Sequence, residues 1–409
     1  MRLIRLCTNY PSYLADFYVR QPTLALAPFA VQHAALMEDC FGWADVWTRY
    51  LAPLGYTVWE PVANAEPQQK IWARENNFTW DEQHWLHDIS LAQVCHFAPD
   101  VVLVNDYSTF NATFFQHLRQ ACPTIRLIVG WCGAPYRDPS IFHAYDIVLS
   151  NIPKLVQEFR SHGLVSYLFH HGFDTAIVGR LGLPIEPEVD FSFVGSLFKG
   201  NGMHNTRERL LVHLKATTPL QIWADTQAPT LRERQRLPLR QGAYDLIHLT
   251  ASLPGMRPLL NHIAEARRYL AMAERPSLAA YTDENLLDCC HPPAFGLAMY
   301  RRLANSRITL NTHIDMAADQ ASNMRLFEAT GVGTCLLTEW QPDLANYFKP
   351  DEEVATYRSK DEAADKVRYL LEHERERKLI AQAGQARVHR DYGFDKRAVA
   401  MNAIIQVHL

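Results

Sequence analysis

The sequence predicts an α/β protein in which parallel sheets are flanked by helices. Short apolar runs alternate with helical segments along most of the chain, as in doubly wound sheets. Several of these runs end in glycine or polar residues, which is typical of strands in open parallel sheets. The chain has 409 residues, of which 48% are hydrophobic and 21% charged, so it is long enough for two globular domains of ordinary size.

The first half contains a series of predicted strands, each an apolar run followed by a turn or by polar residues. These strands span residues 2–7, 56–61, 101–104, 125–130, 145–150 and 165–170. Apolar spacing predicts helical segments between them, at 28–52, 66–98, 108–120 and from Pro153 onward. No G-x-G-x-x-G motif follows the first strand, which argues against a dinucleotide cofactor in this half.

Residues at the carboxyl ends of these strands are candidates for a binding site, because open α/β sheets bind ligands there. Asp106, Tyr107 and the segment 131–134 occupy such positions, and we expect them to line one wall of a cleft. The segment 170–174, HHGFD, closes the first half, and its two adjacent histidines are more typical of a hinge than of catalysis. The segment 184–187, PIEP, predicts a stiff linker.

The second half begins with an alternating strand at 190–195, a loop, and a helix from about Thr206. A strand, a glycine loop and a helix N-terminus form a phosphate cradle in outline, and Gly195, Ser196 and Lys199 lie in this one. The alternative interpretation is a surface loop with an exposed lysine.

The remaining elements include one segment of unusual composition. Residues 226–256 are rich in Arg, Pro and Leu with weak periodicity, which suggests an insertion after a strand at 220–224. Helices are predicted at 257–273, 283–290 and 293–305, a strand at 306–311, a charged helical pair at 361–390 and a final helix at 395–407.

The most informative stretch is SNMRLFEATGVGTCLLTE, residues 322–339. It predicts a short helix, a glycine stop and a buried parallel strand. Arg325 and Glu328 are three residues apart and share a helix face near the helix start, where anions are favoured. A carboxylate there can accept two hydroxyls, as on a ribose, and a guanidinium can hold a phosphate. The alternative is a weak ion pair on the surface.

Charge and cysteine content argue against several other classes of protein. The net charge of −4 and the pI near 6.5 give no support for a nucleic-acid partner. The eight cysteines are scattered without a C-x-x-C pair, which is typical of a reduced compartment rather than of a zinc module or a disulfide scaffold. No apolar run is long enough to span a membrane and no signal-peptide pattern is present, so we expect a cytoplasmic protein.

The stretch 322–339 resembles the donor-nucleotide segment of GT-B glycosyltransferases, in particular the CgeB-like group among the group 1 glycosyl transferases. The family pattern R-x-F-E-A-x-x-x-G-x-x-L-L-T is matched from Arg325 to Thr338. This resemblance implies the GT-B fold, in which two Rossmann-like domains have parallel sheets facing a cleft. The domains expected on this basis are an N-terminal acceptor domain at 1–175, a linker at 176–189, a nucleotide-sugar donor domain at 190–390 and a C-terminal helix at 391–409 that crosses back to the first domain.

The resemblance also implies roles for individual residues. In the family, the glutamate holds the donor ribose, which implies donor-binding roles for Asn323, Arg325 and Glu328. The loop at 195–200 resembles the family's V-G-x-x-x-K-G turn, where backbone amides and a basic residue hold the donor diphosphate. Gly195, Ser196 and Lys199 take those places here.

One departure from the family pattern concerns the sugar. Many retaining GT-B enzymes carry two glutamates seven residues apart across the loop before the short helix. Here Gln320 stands eight positions before Glu328, and Asp315 and Asp319 are nearby but out of register. The resemblance therefore does not predict whether transfer retains or inverts the anomeric configuration.

The implied function is transfer of a sugar from a nucleotide-diphosphate sugar to an acceptor hydroxyl, in glycoconjugate or surface polysaccharide synthesis. No D-x-D pair occurs, so we expect no metal and no cofactor besides the nucleotide-sugar co-substrate. The acceptor would be a glycan, lipid or protein, and peripheral membrane contact stays open.

Asp106 is the leading candidate for the catalytic base and Asp45 the second, although an Asp at a strand end is commonly a helix cap. The alternatives are a GT-B nucleotide-sugar epimerase or isomerase, and a non-catalytic nucleotide-sugar-binding protein.

Overall fold

The protein is represented by a computed structural model. It describes residues 1–409 except 135, 137, 183, 198–205, 254, 273, 274, 279, 280, 314–319 and 322. The chain divides into two compact units, which are described separately below. Unit 1 comprises Met1–Val194 and Ala294–Leu409, and unit 2 comprises Gly195–Pro293.

The first sheet of unit 1 has six parallel strands. They are β1 (Arg2–Leu6), β2 (Thr57–Trp59), β3 (Val101–Val104), β4 (Leu127–Trp131), β5 (Ile147–Ser150) and β6 (Ser166–Leu168). Their order across the sheet is β2-β1-β3-β4-β5-β6, and every pair is parallel. This order confirms the predicted doubly wound parallel sheet, with all carboxyl ends at one edge.

Helices cover both faces of this sheet. Those that follow its strands are α1 (Pro11–Arg20), α2 (Phe29–Glu38), α3 (Val46–Leu51), α4 (Glu66–Glu75), α5 (Trp85–Phe97), α6 (Ala112–Ala121), α7 (Pro153–Ser161) and α8 (Ala176–Leu181). Successive strand side chains point to opposite faces, so Ile4 packs with the α5–α7 side while Leu3 packs with Trp47 of α3. Both faces are apolar, which explains why these strands read as continuous apolar runs.

The last helix of the chain, α17 (Phe394–His408), packs on the first sheet of unit 1. Its residues Phe394, Met401 and Ile405 are buried in the same cluster as Trp47. The domain boundaries expected at 175/176 and 189/190 stay a prediction.

Two long segments predicted as helical are each divided in the structure. The segment 28–52 contains α2 and α3, because Cys40, Gly42 and Ala44 all adopt left-handed backbone conformations between them. The segment 66–98 contains α4 and α5, with Asn77 left-handed between them. Helical periodicity does not reveal such breaks when neither proline nor a pair of glycines marks them.

Unit 1 contains a second parallel sheet, formed in this unit by four strands. They are β7 (Val189–Val194), β10 (Ser306–Asn311), β11 (Cys335–Glu339) and β12 (Ala355–Tyr357), in the order β12-β11-β10-β7. The associated helices are α13 (Gly296–Ala304), α14 (Arg325–Gly331), α15 (Lys360–Glu372) and α16 (Glu374–Asp391). The helix α14 and the strand β11 match the predicted helix, glycine stop and strand.

Unit 2 contains the parallel strand pair β8 (Leu220–Trp223) and β9 (Cys290–His291). Its helices are α9 (Arg207–Thr217), α10 (Leu231–Ala251), α11 (Met256–Asn261) and α12 (Ala264–Leu270). The weakly periodic segment 226–256 thus contains a regular helix of 21 residues, which begins with a capping box between Thr230 and Glu233. The helix predicted at 283–290 is instead a 3-10 turn, Glu284–Cys289, that leads into β9.

Candidate functional site

The carboxyl end of β10 anchors the segment that leads into α14. The side-chain amide of Asn311, the last residue of β10, donates a hydrogen bond to Thr338 Oγ1 of β11 at 2.9 Å. Asn323 Nδ2 donates to Asn311 Oδ1 at 2.6 Å and to the carbonyl of Thr312 at 3.0 Å. These bonds fix Asn323 at the edge of the sheet, two residues before α14 begins.

Arg325 and Glu328 form an ion pair on the first turn of α14. The distance from Arg325 Nη1 to Glu328 Oε2 is 2.8 Å, and the two side chains are only 15% and 9% exposed. The pair is therefore largely buried and is not the exposed surface pair of the alternative interpretation. A buried carboxylate without a cation is costly, and Arg325 supplies the cation beside Glu328.

Two tyrosines lie close enough to this pair to respond to its charges. Tyr300 of α13 is buried, and its pKa is raised well above the usual value, first by burial and then by the charge of Glu328. Tyr10 follows β1 at the edge of the first sheet. The residue is 66% exposed, and its pKa is raised, first by desolvation and then by the charge of Glu328. The charge of Glu328 therefore contributes to the raised pKa of both tyrosines.

The packing beneath α14 depends on a glycine at its last residue. A Cβ atom on Gly331 would lie 2.4 Å from the ring of Phe173, which belongs to the HHGFD segment. That ring stacks on His389 of α16, with centroids 5.6 Å apart, and the carbonyl of Gly331 accepts a hydrogen bond from His389 Nε2 at 2.9 Å. Phe173 therefore packs against the last residue of α14. This contact sets the position of Glu328 relative to the first sheet.

The two histidines of the HHGFD segment are poor candidates for proton transfer. Burial lowers the pKa of His171 to about 3, and burial together with the charge of Arg397 lowers that of His170 to about 4. His171 contacts the edges of Trp43 and Trp131, so its surroundings are largely aromatic. Both imidazoles are neutral near pH 7, and the structural role at a hinge stays a prediction.

Asp174, the last residue of the HHGFD segment, is tied to α3. Arg49 donates two hydrogen bonds to its carboxylate, from Nη1 at 3.0 Å and Nη2 at 2.6 Å, and Tyr50 donates a third at 2.9 Å. Burial would raise the pKa of Asp174, but the bonds and charge of Arg49 outweigh it and hold the pKa below its usual value. Asp45, one of the two candidate bases, accepts a bond from the same Arg49 through Oδ1 at 2.9 Å.

Asp106, the other candidate base, lies after β3 with both carboxylate oxygens occupied. It accepts hydrogen bonds from the hydroxyls of Thr8, Ser108 and Thr109 and from the backbone N–H groups of Ser108 and Thr109, at 2.5–3.0 Å. Burial would raise its pKa, but these bonds outweigh burial and lower it. This is the pattern of a carboxylate that closes a turn, and it makes Asp106 a weak base.

The predicted phosphate cradle begins in unit 2 and is described only in part. The N–H of Gly195 donates to the carbonyl of Trp223 at 3.1 Å, and the carbonyl of Ser196 accepts a bond from Arg207 Nη1 at 2.9 Å. Arg207, at the start of α9, thus ties the loop to the helix that follows it. Lys199 lies outside the described residues, as do Asp315 and Asp319.

Gln320 is described and makes a contact of its own. Its side-chain oxygen accepts a hydrogen bond from the backbone N–H of Lys154, at the start of α7, at 3.3 Å. A neutral amide therefore occupies the position nearest to the family's first glutamate, next to the first sheet.

Sequence reasoning did not identify Asn311, Tyr300 and Phe173 as supports of the site. Asn311 carried a signal, since it is a polar residue at the end of an apolar strand, the same signal that singled out Asp106. Tyr300 and Phe173 carried none, because each contacts α14 or its ion pair from a distant part of the sequence.

The part of the chain that the structure describes shows no group of three or more His, Cys, Asp or Glu side chains placed to hold a metal ion. None of its helices combines the length and hydropathy needed to cross a bilayer. Metal independence stays a prediction.

Comparison with known proteins supports the fold and the site segment. Residues 257–403, which include α13, α14 and β11, match a family model described as glycosyl transferase-like. A search of curated protein sequences found no significant match. The match to this family is confined to the C-terminal region of the chain.

Solved structures similar to this chain include several with the same fold. HepE from Anabaena, solved in complex with UDP-glucose, aligns over 100% of both chains with a TM-score of 0.53 and 10% identity. Sucrose-phosphate synthase from Thermosynechococcus elongatus covers 99% of this chain and 98% of its own, with a TM-score of 0.52 and 12% identity. A glycosyltransferase from Rickettsia africae covers 100% and 98%, with a TM-score of 0.52 and 8% identity. At these identities the likeness establishes the GT-B fold alone.

Proposed function

We propose that this protein is a glycosyltransferase that moves a sugar from a nucleotide-diphosphate sugar to an acceptor hydroxyl. The observation that carries the proposal is the Arg325–Glu328 pair, nine-tenths buried on its carboxylate side and anchored at the carboxyl edge of β10. Ligands of parallel α/β sheets bind at this edge. The pair also lies within the segment that matches the glycosyl transferase-like family model.

Each side chain of the pair has a chemical role in this proposal. The Glu328 carboxylate accepts hydrogen bonds from the two ribose hydroxyls of the donor, since a carboxylate has lone pairs beyond the one that Arg325 engages. Arg325 contributes positive charge near the donor phosphates, and Asn323 shapes the loop through its bonds to β10. Gly195, Ser196 and Lys199 hold the diphosphate, whose charge grows as it leaves.

The transfer breaks the bond between the anomeric carbon and the donor phosphate oxygen and forms a bond from that carbon to the acceptor oxygen. The electron pair of the broken bond goes to the nucleoside diphosphate, and the acceptor proton goes to a base. Asp106 and Asp45 are our candidates for that base. Of the two, Asp45 is better suited, because one oxygen is engaged by Arg49 while both oxygens of Asp106 are occupied.

The proposal includes metal-independent catalysis, a cytoplasmic location and an acceptor that is a glycan, lipid or protein in glycoconjugate or surface polysaccharide synthesis. In the absence of a D-x-D pair, cationic side chains and backbone N–H groups would neutralise the leaving diphosphate. The structure of HepE with UDP-glucose makes UDP the first nucleotide to test.

Calorimetric titration with UDP, GDP, dTDP and ADP, each with and without EDTA, tests the proposal. We expect one nucleotide to bind, with the same affinity in EDTA, because the phosphate ligands are all protein groups. Binding that EDTA abolishes would contradict metal independence. If no nucleotide binds, the assignment of Arg325 and Glu328 to a donor site is wrong.

Product analysis with the sugar form of the nucleotide that binds then separates transfer from its alternatives. A glycosyltransferase releases the nucleoside diphosphate and, without an acceptor, slowly hydrolyses its donor. An epimerase or isomerase would return a nucleotide sugar with altered stereochemistry, and a binding protein would return its ligand unchanged. Either of these two results would replace the proposed activity.

A further inference from the structure

The helix α10 of unit 2 exposes a stripe of leucines to solvent. Leu231, Leu239, Leu246 and Leu249 are 77%, 75%, 65% and 67% exposed. At 100° per residue these four side chains lie within about 80° of the helix circumference. A surface helix normally turns such an apolar stripe toward the core. A stripe that faces solvent instead indicates an interaction surface for another protein or a membrane.

The apolar stripe extends beyond α10. Leu253 follows the end of the helix and is 55% exposed, and Leu259 of α11 and Ile263, which precedes α12, are 60% and 57% exposed. These residues and the α10 leucines form what we call the leucine face of unit 2.

A positively charged cleft adjoins the leucine face. The cleft has a volume of about 490 Å³ and lies between α10 and α12, and its lining includes Arg236, Arg240 and Arg268 as well as Leu239 of the leucine stripe. Within the described residues, these three arginines donate no hydrogen bond and pair with no carboxylate. The one acid of the lining, Glu233, is engaged by Thr230 and by the hydroxyl of Tyr281.

The charge of this segment differs in sign from that of the whole chain. Residues 226–276 contain eight arginines and four acidic residues, a net charge of +4, whereas the chain as a whole carries −4. The excess arginines and the exposed leucines thus belong to the same helices. Exposed leucines flanked by arginines are the features of a helix that lies in the interface of an anionic bilayer.

We propose that the leucine face of unit 2 and its three-arginine cleft dock on a membrane that contains anionic phospholipids. The leucines enter the boundary between headgroups and acyl chains, and Arg236, Arg240 and Arg268 bind lipid phosphates. A second copy of the chain fits this face less well. A symmetric contact would bring two arginine-rich helices together, and their like charges would repel. Pro238 and Gly242 also interrupt the row of large side chains through which two helices pack against each other.

Vesicle flotation of the full chain tests the proposal, with vesicles of phosphatidylcholine alone and of phosphatidylcholine with 30% phosphatidylglycerol. We expect binding to the anionic vesicles only, and weaker binding at higher salt. The triple variant Arg236→Gln/Arg240→Gln/Arg268→Gln should lower the partition coefficient about 100-fold, since each cation near the surface contributes about a factor of five. The pair Leu246→Gln/Leu249→Gln should lower it by at least tenfold.

Two control variants test whether the loss of vesicle binding is specific to the leucine face and its cleft. Lys349→Gln/Lys360→Gln/Arg375→Gln removes the same charge from exposed positions of unit 1, and Leu379→Gln replaces a leucine that is 56% exposed on α16. Both should bind anionic vesicles as the unmodified chain does, and thermal unfolding should be the same for all variants. Equal binding to neutral vesicles, no binding to either kind, or equal losses in the control variants would each overturn the proposal. So would a dimer in sedimentation that Leu246→Gln/Leu249→Gln dissociates.

Discussion

At the scale of single residues, the structure distinguishes a carboxylate whose two oxygens are both hydrogen-bonded from one that keeps an oxygen without a partner among the described residues. Asp106 follows β3, whereas Asp45 immediately precedes α3, and the sequence favoured Asp106 as the base because it lies at a strand end. The hydrogen-bond donors around Asp106 occupy its oxygens and lower its pKa, whereas Asp45 keeps Oδ2 without a partner among the described residues. The local hydrogen-bond donors therefore make Asp106 a structural carboxylate, although its position at a strand end predicted a base.

We expect Asp106→Asn to destabilise the fold at pH 7 by about 1–3 kcal/mol, because the amide cannot accept all the bonds that the carboxylate accepts. The pKa of Asp106 is lower in the folded protein than in the unfolded chain. Its contribution is therefore complete above the unfolded pKa, near 3.9, and is lost as pH falls through the folded value. Urea unfolding between pH 7 and pH 3 measures this difference.

The matched control is Asp138→Asn, because Asp138 accepts the same kind of bonds from Ser140 but is exposed. We expect this variant to lose less stability at pH 7. If Asp106→Asn is as stable as the unmodified chain and lowers the maximal rate of sugar transfer by orders of magnitude, Asp106 is a base and the structural interpretation is wrong.

At the scale of elements, α14 is held in place by packing at its C-terminal end rather than by a cap at its start. No side chain caps its first turn, and Met324 precedes the helix with a helical backbone. Phe173 and His389 contact Gly331 at the other end, and Asn323 is bound to Asn311 of β10. A helix of seven residues has little stability alone, so these tertiary contacts determine where Glu328 lies.

We expect Gly331→Ala to destabilise unit 1 by about 1–3 kcal/mol, because the new methyl group would lie 2.4 Å from the ring of Phe173. The control is Gly179→Ala in α8, where no atom lies within 4 Å of the new Cβ. That change should be neutral or should stabilise the helix by up to about 1 kcal/mol, since alanine favours helical backbone. Chemical denaturation compares the two variants, and equal effects would show that Phe173 does not determine the position of α14.

The elements that sequence patterns missed have two different physical causes. The helix α10 was not predicted because its leucines face solvent and Pro238 and Gly242 lie within it, so neither periodicity toward a core nor propensity marked it. The break between α2 and α3 rests on left-handed residues such as Cys40 and Ala44, which are unusual for those residue types. At Cys40 and Ala44, tertiary surroundings override local preference.

At the scale of the whole molecule, the alternation of apolar runs and helices was sufficient to predict the parallel sheets, because strands buried on both faces read as continuous apolar runs. The stretch from Arg325 to Thr338 was sufficient to predict α14 and β11 as a helix and a parallel strand. Contacts such as Asn311–Asn323 and Phe173–Gly331 could not be predicted, since pattern analysis is local and these pairs form only when distant strands align.

The central claim is that Glu328 binds the donor ribose rather than only neutralising Arg325. Its most direct test is calorimetric comparison of UDP with 2′-deoxy-UDP, or of the corresponding pair for whichever nucleotide the chain binds, in the unmodified protein and in Glu328→Gln. A charged hydrogen bond contributes about 1.5–3 kcal/mol, so the unmodified protein should prefer the ribonucleotide by about 10-fold to 150-fold. The folded Glu328→Gln variant should lose that preference while its affinity for the deoxynucleotide changes little. A preference that is unchanged in Glu328→Gln, or absent from the unmodified protein, would contradict the claim.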